Sequence, residues 1–396
     1  MQFAIIVTVI ERLLQRPERS FFLFGPRGVG KSTWLREVLP QATWFDLLDP
    51  QLQLSLQLAP GGLREQTEHL RAGSWVCVDE VQKVPALLDE VHALIERKRL
   101  KFALTGSSAR KLRHGGANLL AGRASVLAMR PFSLRELGDV SIKPLLEFGG
   151  LPLVVNEPKD VADILRAYVN TYLREEIREE GLVRKVEPFV RFLRVAGLMN
   201  AQILNASNIA REAQVPRNSV VSYFSILEDT LVATRLPAFQ PGARVRENAH
   251  PKFYWFDPGV ARAAAGLIDD PVDNTWLGYA LETWVLHELL VYNETQRRHR
   301  EIFYYQTGAG VEVDFVVETR KKTLSSPAEA VLIEVKLADR WQPAFDKHLR
   351  EVARSANFKV KACVGVYLGK QRLRREGVDV LSLPEFIAAL YEGQFF

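Results

Sequence analysis

Two glycines, a lysine and a serine stand in the order Gly25-x-x-x-x-Gly30-Lys31-Ser32 within SFFLFGPRGVGKSTWLREVL. Glycines let such a loop turn its backbone N–H groups inward, which makes a cradle for phosphate oxygens at a helix N-terminus. The Lys31 ammonium would reach the β- and γ-phosphates, and the Ser32 hydroxyl would ligate Mg²⁺. The run Gly25, Pro26, Arg27, Gly28, Val29, Gly30, Lys31, Ser32, Thr33 therefore reads as a Walker A loop, with ATP and Mg²⁺ as the implied cofactors. A second pair, Asp79-Glu80, ends the apolar run Trp75–Val78. Asp79 suits holding Mg²⁺ through its water shell, and Glu80 suits orienting or deprotonating the attacking water.

A third set of reactive residues lies far down the chain. In AVLIEVKLA, Glu334 and Lys336 share one face of a strand, because successive side chains alternate. An exposed ion pair is the ordinary meaning of such a pattern. Upstream, GVEVDFVVE places Asp314 inside an apolar run. A carboxylate there is costly without a cation or strong donors, so a metal or a buried pair is the natural account. Still further upstream, WLGYALETWVLHELLVYNET (276–295) reads as an amphipathic helix holding Glu282.

The elements that must position these groups can be read around them. Phe21 to Phe24 form a short strand before the loop, and TWLREVL continues it as a helix. ATWFDLL (42–48) lies between the two Walker motifs, and KFALTGSSA (101–109) follows them. An extra strand between the Walker strands, with a Glu after the Asp, is the pattern of additional-strand ATPases such as the AAA+ class. In that class a polar residue at the end of the fourth strand senses the γ-phosphate, and Thr105 or Ser107 is the candidate. Arg123 precedes the expected fifth strand in NLLAGRASVLAMRPFSLREL (118–137). It is either a finger acting on a neighbouring subunit's ATP or a surface arginine.

Residues 131–200 carry apolar positions at helical spacing. The short helix SNIAREAQ, a turn at VP, the second helix RNSVVSYFSILEDT and the β-rich LVATRLPAF then give a winged-helix reading. In a DNA reader, Arg217, Asn218 and Ser222 would stand at the exposed start of the groove-binding helix. That helix has few basic residues, so packing as a lid or against a partner is the competing account.

GPRGVGKST, VDEVQKVPALLDEV, LTGSSA, LLAGRA, RPFSLREL, GGLP (149–152) and YLREEI (172–177) occur in that order. Over essentially its whole length the chain resembles a prokaryotic group of AAA-family ATPases with a C-terminal domain of unknown function. The resemblance implies an AAA-type core, a helical lid, a winged helix and a nuclease-like C-terminal domain. A helix with Glu282, a strand with Asp314 and a strand with Glu334-x-Lys336 are similar to the PD-(D/E)xK nuclease fold. Matched residue by residue, Asp314 and Glu334 would ligate Mg²⁺, and Glu282 would complete the acidic set. Lys336 would position or activate the water that attacks a phosphodiester. Val313 stands where the nominal motif has proline. Gln342 would start the next helix and touch the site or its substrate.

The expected fold class is α/β in three parts. They are a P-loop AAA-type ATPase core (1–135), a helical lid plus winged-helix region (136–245), and a C-terminal restriction-endonuclease-like, PD-(D/E)xK nuclease-like domain (246–396). With 396 residues the chain is too long for one ordinary core. Its net charge of +5 permits a polyanionic partner. Basic clusters fall at 109–116, 295–302, 319–322 and 370–376, the last three in the nuclease-like region.

Two isolated cysteines, Cys77 and Cys363, support no disulfide framework or zinc site and suit a reducing cytoplasm. His69, His92, His287 and His299 show no ligand pattern. The opening MQFAIIVTVIERLLQR lacks a basic n-region and a cleavage site, and is too short to span a bilayer. The expected partners are ATP, DNA or RNA, a protein partner, and further copies of the chain in a homo-oligomer, with no membrane. The leading functional reading couples ATP hydrolysis to Mg²⁺-dependent binding or cleavage of nucleic acid. Its rivals are an ATP-driven switch with a non-catalytic nuclease-like scaffold, and a winged-helix DNA-binding regulator.

Overall fold

The aromatic and aliphatic runs of the first third each form a strand: β1 (Phe21–Phe24), β2 (Thr43–Asp46), β3 (Trp75–Asp79), β4 (Lys101–Gly106) and β5 (Ser125–Ala128). The computed structural model describes residues 10–107, 119–173, 186–240, 250–308 and 310–396. Most of the opening apolar run, Ser108, the basic cluster 109–116 and the end of YLREEI lie outside the described residues. The five strands are parallel, in the order β2-β3-β4-β1-β5. Alternation sends Phe21 and Leu23 into one core with Trp34, Leu35 and Cys77, and Phe22 and Phe24 into another with Val76, Val78 and Phe102. Both faces of the sheet are therefore covered, as a parallel sheet requires. Gly25 follows β1, Asp79 ends β3 and Gly106 ends β4, so the loop and its partners meet at the C-terminal edge of the strands.

Short helices follow at Leu134–Leu137, Ile142–Phe148, Pro152–Asn156 and Val161–Ala167. A longer helix, Val186–Leu198, then leads into β6 (Gln202–Ile203). The helices Ala206–Ala213 and Arg217–Asp229 come next, followed by β7 (Ala233–Leu236) and β8 (Lys252–Trp255). The Asn205 side chain caps the first of that pair, accepting from the amides of Ser207 and Asn208. The strands form an antiparallel sheet in the order β6-β8-β7. This moves the expected boundary at 245/246. β8 hydrogen-bonds to β6 and β7, so residues 252–255 complete the middle sheet instead of opening the last domain.

The last region begins with the helix Asn274–Thr295. The sequence suggests an amphipathic helix, but Thr283 through Leu289 are all buried. The helix is wedged between the first region and the last sheet, with its side chains covered from both directions. Strands β9 (Glu301–Gln306), β10 (Glu312–Arg320) and β11 (Glu329–Lys336) run antiparallel. After the helix Lys347–Ser355, β12 (Lys359–Tyr367) returns parallel to β11. Strands β13 (Leu373–Arg375) and β14 (Val378–Ser382) extend the sheet to the order β13-β14-β12-β11-β10-β9. The helix Leu383–Tyr391 closes the chain behind a capping box of Ser382 and Glu385. No helix among the described residues is long and apolar enough to cross a membrane.

Candidate functional site

Gly30, at φ 91°, occupies the left-handed region as N-cap of the helix Lys31–Val38, a conformation that glycine takes without strain. Gly25 allows a different kind of closeness, since a Cβ there would lie 2.3 Å from the Met129 carbonyl oxygen. The Lys31 ammonium folds over the loop and donates to the carbonyls of Gly25 (2.7 Å) and Pro26 (3.2 Å). Ser32 Oγ donates to Asp79 Oδ2 at 2.6 Å, and Thr105 Oγ1 donates to the other Asp79 oxygen. Thr105 Oγ1 also accepts from the Glu80 amide at 3.1 Å. The two residues expected to hold Mg²⁺, the expected base and one of the two sensor candidates thus form one hydrogen-bonded chain. Ser107, the other sensor candidate, sits beyond it and accepts from the Gln82 amide group at 3.4 Å.

The loop is pinned by residues that the motif does not contain. Gln82 Nε2 donates to the Glu80 carboxylate and fixes where that group points. Arg12 bonds the Val29 carbonyl (2.9 Å), the Arg130 carbonyl (2.6 Å) and Glu136 (2.9 Å). The Tyr168 hydroxyl donates to the Arg27 carbonyl at 2.9 Å, and the Arg27 guanidinium lies 4.6 Å from the centre of the Tyr172 ring. Beside Thr33, a recess of about 110 Å³ is lined by Ile10, Arg12, Val29, Trp34, Phe132, Pro152 and Asn156. Arg123 stands elsewhere. It precedes β5, at the N-terminal edge of the sheet and opposite the loop, and is ion-paired with Glu96. That placement takes it out of reach of its own chain's phosphate site.

Glu282, Asp314, Glu334 and Lys336 come together around one cleft of about 540 Å³. Glu282 comes from the helix Asn274–Thr295, Asp314 from β10, and Glu334 and Lys336 from β11. Asp314 Oδ2 accepts from the Val335 amide at 2.8 Å. Lys336 Nζ bonds Glu334 Oε1, while Glu334 Oε2 is buried without a hydrogen-bond partner among the described residues. A residue that the sequence reading missed stands in the middle. Lys252, at the start of β8, is buried with its ammonium 2.6 Å from Glu282, 2.9 Å from Glu312 and 3.6 Å from Asp314.

Electrostatics follow the burial. Desolvation, reinforced by the Asp314 charge, pushes Glu282 up to about 7, although Lys252 and Tyr254 pull the other way. The same two causes raise Glu334 against the pull of Lys336. Burial alone would lower the Lys252 ammonium, but Tyr254 and the carboxylates of Glu282, Asp314 and Glu312 together hold it well above the usual lysine range.

No group of three or more His, Cys, Asp or Glu side chains stands ready to hold a metal among the described residues. The acidic set is instead threaded by lysine. One further expectation changes. Gln342 is exposed in a turn ahead of the helix Lys347–Ser355 and does not line the cleft. The basic clusters 295–302 and 319–322 fall at the other end of β9 and β10, where Lys321 pairs with Glu301 at 2.6 Å.

Residues 17–138 match the family described as AAA domain. Residues 140–270 and 277–386 match two families described as domains of unknown function, DUF8612 and DUF4143. The first third is an AAA-type P-loop domain. Two uncharacterized proteins, from Mycobacterium bovis and Mycobacterium tuberculosis, are each 25% identical over 347 residues, which covers 80% of this chain and 74% of theirs. Among solved structures, the Aeropyrum pernix ORC1 protein in complex with DNA aligns at 14% identity and a TM-score of 0.31, covering 65% of this chain and 88% of that one. A STAND-type signal transduction ATPase with a tetratricopeptide repeat sensor, from Pyrococcus horikoshii, aligns at 14% identity and a TM-score of 0.23, covering 71% and 48%. Such overlaps add nothing to what the loop and the strand order already say.

Proposed function

We propose that the chain binds and hydrolyses ATP at the Gly25–Thr33 loop and uses the cycle to control a divalent-cation-dependent nucleic-acid site in the acidic cleft. The observation that carries the first half is the chain Ser32–Asp79–Thr105–Glu80. The donors suit Mg²⁺: a hydroxyl and a carboxylate face each other beside the loop lysine. Bound there, Mg²⁺ would offset the phosphate charge. Lys31 would leave its loop carbonyls for the β- and γ-phosphates. Glu80, steered by Gln82, would orient the attacking water and accept its proton. Thr105 would report the γ-phosphate to Asp79 and Glu80. The recess beside Thr33 and Trp34 is the proposed seat of the base. Arg123 would act, if as a finger, only on a neighbouring copy in a homo-oligomer.

In the second half, Asp314 and Glu334 would hold the cation, and Glu334 Oε2, buried without a hydrogen-bond partner among the described residues, is what favours this. Lys336 would position the water. The order helix, β9, β10, β11, helix, β12 supports a PD-(D/E)xK-like reading. Helix, β6, helix, helix, β7, β8 supports a winged-helix reading of 186–255, with Arg217, Asn218 and Ser222 exposed. A non-catalytic scaffold for a protein partner is the second reading, favoured by the lysine already lodged among the carboxylates. Phosphate release from ATP and Mg²⁺- or Mn²⁺-dependent cleavage of DNA and RNA, with Asp314→Asn alongside, test the two halves. Turnover without any cleavage would select the scaffold.

A further inference from the structure

We propose that Lys252 is a displaceable counter-cation: it fills the cation position of the acidic cleft, and a divalent ion enters only as Lys252 withdraws. This rests on reading the acidic set of the cleft, Asp314 with Glu282 beside it, as cation ligands.

Lys252 is supplied from outside the last sheet. Its backbone pairs with Ile203 and Leu236 in the middle sheet, and its side chain crosses into the cleft. There the ammonium touches Glu282, Glu312 and Asp314 at 2.6, 2.9 and 3.6 Å. A cation shared by Glu282 and Asp314 would have to sit where this ammonium sits, because Mg²⁺ needs oxygens at about 2.0–2.1 Å. A monovalent and a divalent cation a few ångström apart repel strongly in a buried site, so joint occupancy is disfavoured.

The charge count leaves room for the exchange. Four carboxylates, Glu282, Glu312, Asp314 and Glu334, face two ammonium groups, Lys252 and Lys336, which leaves two negative charges when all are ionised. Glu334 Oε2, buried in the same cleft, has no partner among the described residues. When its acids are ionised the cleft therefore carries surplus negative charge, which Lys252 offsets in part from another region.

The backbone that carries Lys252 also reaches toward the nucleotide site. Asp257, five residues on, accepts from the Gly150 amide at 2.8 Å and the Val260 amide at 3.0 Å. Two residues after Gly150, Pro152 lines the recess beside Thr33. A shift of the GGLP segment on nucleotide binding would be passed to β8, and so to the lysine.

Mn²⁺ titrations of the nucleotide-free full chain, with free ion followed by electron paramagnetic resonance, test this. Wild type, Lys252→Met, Lys252→Arg and Asp314→Asn are compared. Lys252→Met should bind Mn²⁺ at least about tenfold more tightly than wild type, and Lys252→Arg no more tightly, on the Coulomb argument. Asp314→Asn should lose the site. Equal binding by wild type and Lys252→Met, lost in Asp314→Asn, would overturn the competition and leave the cation site standing. No binding in any of them would overturn both. Should Lys252→Met fail to fold, Lys252→Met/Glu312→Gln removes one acid together with the cation. The same tenfold gain is expected there, and its absence overturns the proposal.

Discussion

The nucleotide loop and the acidic cleft each bring buried carboxylates together with lysine, yet they solve the charge problem in opposite ways. At the loop, Asp79 is met by two hydroxyls, those of Ser32 and Thr105. The loop's own Lys31 is turned onto the backbone carbonyls of Gly25 and Pro26. Neutral donors hold the acid in place without cancelling its charge, so it stays available to a cation. In the cleft, Lys252 and Lys336 bond the acids directly. A carboxylate bonded to an ammonium is already compensated, and an incoming cation must compete. On the proposed reading, the first site is poised for its ligand, whereas the second is closed by its own chain.

The largest effect should come from Lys31→Ala. Loss of the ammonium that meets the developing phosphate charge should cut ATP turnover at least about a thousandfold, measured as phosphate release. Mn²⁺ binding in the cleft of nucleotide-free protein should be unchanged. Turnover at the wild-type rate would sink the assignment of the loop and with it the contrast between the sites.

Lys252→Ala should come next, as a loss of stability. Removing one partner from a buried ion-paired group costs about 3 kcal/mol or more, because uncompensated charge stays behind. Denaturant unfolding should show this in chelator and show part of it recovered in millimolar Mn²⁺. A variant as stable as wild type would mean that the three carboxylates do not depend on this ammonium.

A third effect tests the helix that joins the two sites. Glu288 lies on Asn274–Thr295, buried, and accepts from the Leu134 amide at 2.7 Å and the Trp284 indole at 3.0 Å. Burial pushes it up to about 8, against the pull of those two donors. Its folded value thus lies above the ordinary carboxyl value of 4.5, so its contribution is complete below that pH and is lost as pH rises through about 8. Wild-type stability should fall between pH 5 and 9, and Glu288→Gln should be more stable than wild type at the alkaline end by up to about 5 kcal/mol. Glu282 and Asp257, pushed up to about 7 and about 6 by burial, titrate in the same direction. The slope in the variant should therefore shrink without vanishing. Parallel pH profiles for the two proteins would show that Glu288 is ionised throughout.

Legibility from sequence followed locality. The loop, Asp79, Glu80 and the strand carrying each were readable because every candidate residue lies at a fixed offset from its own strand end, and a parallel sheet brings those ends to one edge. Asp314 was readable because a carboxylate in an apolar run asks for a cation. The same test would have found Lys252, a charge leading straight into the apolar Phe253–Phe256. It passed unnoticed because its partners lie on other elements and the expected boundary at 245/246 grouped it with the last region. Arg12 carried no such signal. Its role depends on where Val29, Arg130 and Glu136 come to lie after folding. The helix Asn274–Thr295 misled for a similar reason, since its polar face is buried by contacts that only the tertiary structure provides.

The smallest effect should fall on Gln82, and it asks how much the loop owes to residues outside its motif. Glu80 adopts the left-handed backbone at φ 58°, so its side-chain direction depends on what bonds it, and Gln82 does so. A Cβ at Gly106 would lie 2.5 Å from Gln82 Oε1, which leaves the amide little freedom to move. Gln82→Ala should therefore lower kcat for ATP by about tenfold with KM nearly unchanged, a loss of positioning and not of binding. Glu80→Gln, which removes the base itself, should cost about a hundredfold or more. If Gln82→Ala raised KM and left kcat alone, the glutamine would serve the nucleotide directly. Glu80 would then be placed by its backbone, and the loop would be as self-contained as its spacing suggests.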